Sequence, residues 1–206
     1  MHGRLAETCF IMEPVPSFYF DVGGVLIPDN FAPHNVLQTF RQLQAQYGFD
    51  PAAACATYQR LQPGLDLGRI SLGEFCTQIG ASEGQFAEDW LRMHPLNPAV
   101  GVIIERLLAA GHAVGLATNF CRTLLDLLIG SAPVLSHLSV CCSSDIGLVK
   151  PSREFFHHAS ALMPAAQTVF VDDRETNVEA AGRFGWTAIR ATPGWLSEFE
   201  KAYVSL

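Results

Sequence analysis

Lysine is nearly absent from this chain. Of its 13 basic residues eleven are Arg, and only Lys150 and Lys201 are Lys. Acids number 20, so the formal charge is −7 and the pI about 5.4. Cations this sparse form no extended basic surface, which excludes a polyanion footprint: no nucleic-acid partner and no anionic membrane surface are expected. Long hydrophobic runs are missing too, none approaching the ~18 apolar residues of a membrane span. The run Cys9-Phe10-Ile11-Met12 is too short for the apolar region of a secretory leader. Six cysteines are present, yet none stands in a CxxC spacing, and a chain of this size needs no disulfide stapling. A cytoplasmic location with reduced thiols is the resulting expectation. No internal repeat is present either.

What remains describes a folded enzyme-sized chain. Its 206 residues are 49% hydrophobic and 16% charged, which suits one domain or a core with an inserted subdomain. Short apolar runs each end in polar residues: Ser17-Phe18-Tyr19-Phe20 before Asp21, Ala113 to Ala117 before Thr118, Leu138 to Cys142 before Ser143, and Thr168 to Val171 before Asp172-Asp173. Trp186 to Ile189 is a fifth. Helical stripes lie between them, at Val100-Ile103-Ile104-Leu107-Leu108, Leu124 to Ile129 and Phe155 to Leu162. This alternation predicts an α/β fold: a three-layer, parallel, Rossmann-like sheet with helices on both faces.

One stretch breaks the rhythm. From about Phe31 to Pro95 only helical signals occur, with Val36, Phe40, Leu43 and Tyr47 on one face. Ser71-Leu72-Gly73-Glu74 and Ser82-Glu83-Gly84-Gln85 both read as capping boxes. The expected organisation is an α/β core over 17–29 and 97–206, an inserted helical cap over 30–96, and an N-terminal extension over 1–16. An insertion there covers the carboxyl end of the sheet, where open α/β folds bind ligands, and is a candidate lid.

Asp21, Thr118-Asn119, Lys150 and Asp172-Asp173 follow successive strands and would converge on that edge. Three carboxylates cannot all ionise together without a compensating cation, and an all-oxygen set favours Mg²⁺ over Zn²⁺. A lysine, a hydroxyl and the backbone N–H groups after Asp21 suit phosphoryl oxygens. A carboxylate beside such a cation can attack phosphorus as a nucleophile.

These segments are similar to the four ordered motifs of the haloacid dehalogenase-like (HAD) hydrolase superfamily: Phe20-Asp21-Val22-Gly23-Gly24-Val25-Leu26, Leu116-Ala117-Thr118-Asn119, Val149-Lys150-Pro151 and Phe170-Val171-Asp172-Asp173-Arg174-Glu175-Thr176-Asn177. The resemblance spans residues 17 to about 192, and the helical insertion sits where that superfamily carries its cap. Gly68 to Phe75 resembles a cap stretch of its small-molecule phosphatases. The resemblance implies Asp21 as nucleophile and metal ligand, Thr118 on the phosphoryl oxygens, Asn119 near substrate, and Lys150 bridging nucleophile and phosphoryl group. It implies Mg²⁺ held by Asp21, Asp172, Asp173 and the backbone carbonyl of Gly23, and a small phosphorylated metabolite as partner, with the protein a monomer or homodimer.

One position departs from the pattern. Where the superfamily usually has Asp-x-Asp, this chain has Asp21-Val22-Gly23. The carbonyl ligand survives, but the side chain that protonates the leaving group does not, a loss of about 10²–10⁴ in rate for a general acid. The resemblance leaves three readings: a phosphatase, with sugar phosphates among its substrates, that acts on leaving groups needing little protonation or borrows an acid from the cap or water; a haloacid dehalogenase, which works without metal and lacks the acid pair; and a phosphate-binding protein without turnover. The intact Asp172-Asp173 pair favours phosphate. Other polar residues have plainer readings. His157-His158 and Cys141-Cys142 read as structural, Phe75, Phe86 and Trp90 as helical core, Asn177 as fixing a loop, and Arg174 as a local salt partner. His34 and His94 flank the cap and are candidates for the missing proton.

Overall fold

The computed structural model of the chain describes residues 15–27 and 33–204. Residues 1–14, within the expected N-terminal extension, and the His34 side chain lie outside the described set. Five strands form one parallel sheet: β1 (Ser17–Phe20), β2 (Val114–Thr118), β3 (Ser139–Cys142), β4 (Thr168–Asp172) and β5 (Thr187–Arg190), in the order β3-β2-β1-β4-β5. The chain moves outward from β1 through β2 to β3, then crosses back to β4 beside β1. Strand order therefore reverses at β1, which opens a crevice outside its carboxyl end.

β1, β2 and β4 are buried on both sides, hence their nearly continuous apolar runs. Alternate residues face opposite layers. Phe18, Phe20, Leu116, Val169 and Val171 join one apolar cluster, packed by α5 (Pro98–Ala109) and α10 (Trp195–Tyr203). Tyr19, Ala117, Cys141 and Phe170 join the other, with α8 (Arg153–Leu162) and α9 (Glu175–Phe184). Tyr19 stacks on Trp186 with centroids 5.5 Å apart, and its hydroxyl donates to the Ala159 carbonyl at 2.7 Å. The three-layer α/β expectation is met. Cys141 and Cys142 are buried, and His157 and His158 are exposed on α8. No helix among the described residues is long and apolar enough to cross a membrane.

Between β1 and α5 lie four helices, α1 (Pro33–Tyr47), α2 (Pro51–Asp66), α3 (Leu72–Ile79) and α4 (Glu83–Met93). They share their own core around Phe40, which meets Phe49, Tyr58, Phe75, Phe86 and Trp90. Ser71 makes the full capping box with Glu74. Ser82 does not: it stands at the α4 N-cap without a side-chain bond. The reason is that Gln85 turns instead to Asp89, a buried carboxylate that also accepts from Gln46 and Tyr47 and pairs with Arg92. The remaining helices, α6 (Arg122–Ser131) and the short α7 (Ser143–Ile146), flank β3 together with a 3-10 turn at Pro133–His137.

Gly115 tests the tightness of this sheet. A Cβ there would lie 2.7 Å from the Ser139 carbonyl oxygen and 2.8 Å from Met163 Cε and Tyr19 Cε1. Because one neighbour is backbone, Gly115→Ala is expected to cost about 1–3 kcal/mol in urea unfolding, and an unchanged midpoint would contradict this packing.

Candidate active site

The sheet order brings the polar strand ends together. Asp21 follows β1 directly, Thr118 closes β2 on one side, and Asp172 closes β4 on the other. After Asp21 the chain turns sharply, with the Leu26 and Ile27 N–H groups both donating to the Val22 carbonyl. Val22, Val25, Leu26 and Ile27 bury into the core and anchor this turn. Gly23 and Gly24 stay at the crevice because neither brings a side chain. Gly24 is required twice: its φ is +72°, and a Cβ would lie 2.6 Å from Asp173 Cγ.

Lys150 holds the site together. Its ammonium donates to Asp172 Oδ2 at 2.6 Å and pairs with Asp21 Oδ2 at 3.0 Å, above the Phe170 ring. Its main chain is gripped by the Asn119 side chain, which donates to the Lys150 carbonyl at 2.9 Å and accepts from its N–H at 2.8 Å. Of the two expectations for Asn119, fixing a loop and touching substrate, the hydrogen bonds serve the first, though the residue also lines the cavity. Asp172 is fully buried. Besides Lys150 it accepts from Asn177 Nδ2 at 3.0 Å on both oxygens and from the Arg174 N–H at 2.8 Å. Both of its oxygens are thus engaged by the protein.

The charges explain the electrostatics. Burial pushes the Asp21 carboxyl well above the ordinary carboxylate range; Lys150 pulls it down, and Asp172 raises it further. Burial disfavours the Lys150 ammonium, yet Asp21 and Asp172 outweigh that and raise its pKa. The Thr118 hydroxyl, 0% exposed, helps draw the Asp21 pKa down. It nevertheless has no partner of hydrogen-bond geometry among the described residues, an orphan that calls for a ligand oxygen. Asp21, Asp172 and Asp173 each offer an oxygen, all within 4.8 Å of one another.

A cavity open to solvent lies over these groups. Its floor is Asp21, Gly23, Lys150 and Asp173; Tyr58, Gln62 and Asp66 enter from α2. Phe75, Phe86 and Trp90 are buried as expected and line it as well. Two expectations change. His94 is buried with Nδ1–H donating to the Trp90 carbonyl and does not line the cavity, because α4 folds its end inward against Trp90. Arg174 makes no side-chain ion pair among the described residues; it lines the cavity, where its charge acts on Asp66 and Tyr58. Tyr58, Gln62 and Asp66 had no signal in the sequence beyond lying on a helix of the insertion.

No protein-family model matches the chain. Solved structures do. A HAD family enzyme from Bacteroides thetaiotaomicron, in complex with magnesium and inorganic phosphate, aligns at a TM-score of 0.64 with 17% identity, covering 87% of this chain and 96% of that one. A HAD phosphatase from Thermococcus onnurineus aligns at 0.65 with 17% identity over 91% and 97%. A dehalogenase aligns at 0.64 with 15% identity over 95% and 100%. The chain has the HAD-like hydrolase fold.

The raised Asp21 pKa has a sign that can be measured. The folded chain holds that proton more tightly than the unfolded one, so ionising Asp21 costs stability as pH climbs from the ordinary carboxylate range to neutrality. With a chelator present, Asp21→Asn is therefore expected to melt higher than the parent at pH 7, by roughly 2–4 °C per kcal/mol recovered. The gap should close only well below pH 3.8, the ordinary value, where the Asp21 of folded and unfolded chain alike is protonated. A variant that melts lower at pH 7 would reverse this assignment.

Proposed function

We propose that the protein hydrolyses a small phosphomonoester through an aspartyl-phosphate on Asp21, with Mg²⁺ as cofactor and the α1–α4 segment as cap. The carrying observation is one cavity floor that combines three clustered carboxylates, a buried ammonium and an orphaned hydroxyl. The donor set is all oxygen and fits Mg²⁺. Asp21, Asp173 and the Gly23 carbonyl would hold it directly, with Asp172, whose oxygens are occupied, reaching it through water. Bound there, the cation neutralises charge on the phosphoryl group and keeps Asp21 ionised.

The chain's own groups do the rest. The Val22 N–H donates to Asp21 Oδ1 at 2.7 Å, which orients the other oxygen for attack. As the Asp21–phosphorus bond forms, the bond to the leaving oxygen breaks. Thr118 and Lys150 donate to the phosphoryl oxygens, where each such donor is worth about 10²–10³ in rate. Water then attacks phosphorus, the Asp21–phosphorus bond breaks, and inorganic phosphate leaves. The cap excludes bulk solvent meanwhile. The magnesium- and phosphate-bound HAD enzyme of the same fold supports this reading.

The same fold also hosts a dehalogenase, whose halide leaves without a proton and so suits Gly23; the clustered acid set weighs against it here. Phosphate release from a panel of metabolite phosphates with Mg²⁺ is the test. Asp21→Asn and EDTA should each abolish release while the far-UV spectrum stays unchanged. Undiminished release in either case would sink the proposal, and metal-independent halide release from a 2-haloacid would replace it. Binding of phosphorylated ligands without any release would leave a non-catalytic protein.

A further inference from the structure

We infer that Asp66, the last residue of α2, is the acid and base that serves the Asp21 reaction in place of a side chain at Gly23. This rests on the hydrolase reading above. The cavity itself narrows the choice. An alkoxide needs a proton as it leaves, and few groups lining this cavity can give one near neutral pH. Lys150 is tied to two carboxylates. Arg174 does not deprotonate. Burial raises the Cys121 thiol, and burial with Asp66 nearby raises the Tyr58 phenol. Asp21 and Asp173 are committed to the nucleophile and the cation. Asp66 is left.

Its surroundings fit the role. Among the described residues the Asp66 carboxylate makes no hydrogen bond and no ion pair. The contrast with Asp89 is instructive: the same helical segment surrounds that carboxylate with Gln46, Tyr47, Gln85 and Arg92. A half-buried acid left without partners in a ligand cavity is costly unless it is used. Burial pushes the Asp66 carboxyl up to about 7, against the pull of Arg174 and Lys150, so either protonation state is accessible at neutral pH.

The position is also fixed relative to the nucleophile. The turn after Asp66 is closed by the Gly68 N–H on Leu65 and the Arg69 N–H on Gly64, at 3.1 and 2.8 Å. Gly68, with φ +66°, approaches the sheet so closely that a Cβ would lie 2.2 Å from the Ser144 carbonyl oxygen. Ser144 belongs to α7, just ahead of the Lys150 loop. Only glycine allows this seat, two residues from Asp66, which lines the same cavity as Asp21.

In the first step, the Asp21 oxygen bonds to phosphorus and the phosphorus–oxygen bond to the leaving group breaks. The departing oxygen keeps that electron pair and takes the Asp66 proton. In the second, the Asp66 carboxylate takes a proton from water as its oxygen bonds to phosphorus, and Asp21 recovers its electron pair. The products are an alcohol, inorganic phosphate and a reprotonated Asp66.

Leaving-group dependence distinguishes this from a structural role. Steady-state kcat/KM with Mg²⁺ would be measured on an alkyl phosphate and on 2,4-dinitrophenyl phosphate, whose leaving group needs no proton. Asp66→Asn should lower the alkyl rate by about 10²–10⁴ and the alkyl-to-aryl ratio at least tenfold. Asp66→Ala reads the same ratio if the Asn variant melts below assay temperature. An unchanged ratio, whether through equal losses or none, overturns the role of Asp66 while the parent enzyme remains a phosphatase. A parent that releases phosphate from neither ester overturns the hydrolase reading instead.

Discussion

The buried Lys150 ammonium is the charge around which the rest of the molecule is arranged. It lies between Asp172 and Asp21 with 3% of its surface exposed. Removing the lysine costs about 3–5 kcal/mol, because the fully buried Asp172 charge is stranded. Keeping it requires β4 beside β1, a crossover at that point, and a loop after α7 that reaches back to the crevice. Asn119 clamps the loop, and Asn177 with the Arg174 N–H completes Asp172. The Tyr19 and Phe170 layer beneath supplies a dry floor. Lysine suits this seat better than arginine, since two carboxylates that share one nitrogen want a compact donor rather than a planar fork. The Arg-rich surface and the single working Lys are thus separate facts. Lys201, exposed on α10, has no such seat.

Much of this was legible in residue order. Parallel strands buried on both faces leave unbroken apolar runs, and Phe18-Tyr19-Phe20 or Val169-Phe170-Val171 carry that signature without context. Polar residues at the ends of such runs share one sheet edge whatever the strand order, so Asp21, Thr118, Lys150 and Asp172 could be grouped in advance. Their roles within the group were less accessible. Arg174 reads as the natural neighbour of an acid pair, yet it makes no side-chain ion pair among the described residues and lines the cavity instead. Ser82 and Ser71 carry the same capping pattern; only the buried Asp89, a tertiary feature, draws Gln85 away from one of them.

The residues contributed by α2 were hidden for a different reason. Pro63-Gly64 is ordinarily a helix stop, yet the helix continues to Asp66. Tertiary packing overrides the local signal: Leu61 and Leu65 on either side of the pair are buried in the α1–α4 core, which holds the last turn in place. Without that turn Asp66 would fall on a loop, and no spacing rule would set it against Asp21. Side chains that meet across two separately packed units leave no periodicity to read.

The site is electrostatically unfinished as it stands. Three carboxylates face one ammonium, a buried hydroxyl has no partner, and both Asp21 and Asp66 hold protons more tightly than free carboxyl groups do. A fold under selection for stability alone would replace such groups with apolar ones of similar volume. The proposed function gives each deficit a complement: a cation for the acid cluster, a phosphoryl oxygen for Thr118 and Lys150, a leaving oxygen for Asp66. A net charge of −7 repels phosphate at long range, so the site gains its attraction for a small anion only once the cation is seated. Under the proposed function the metal would therefore bind first and the substrate second, each adding stability to the folded chain by its own binding.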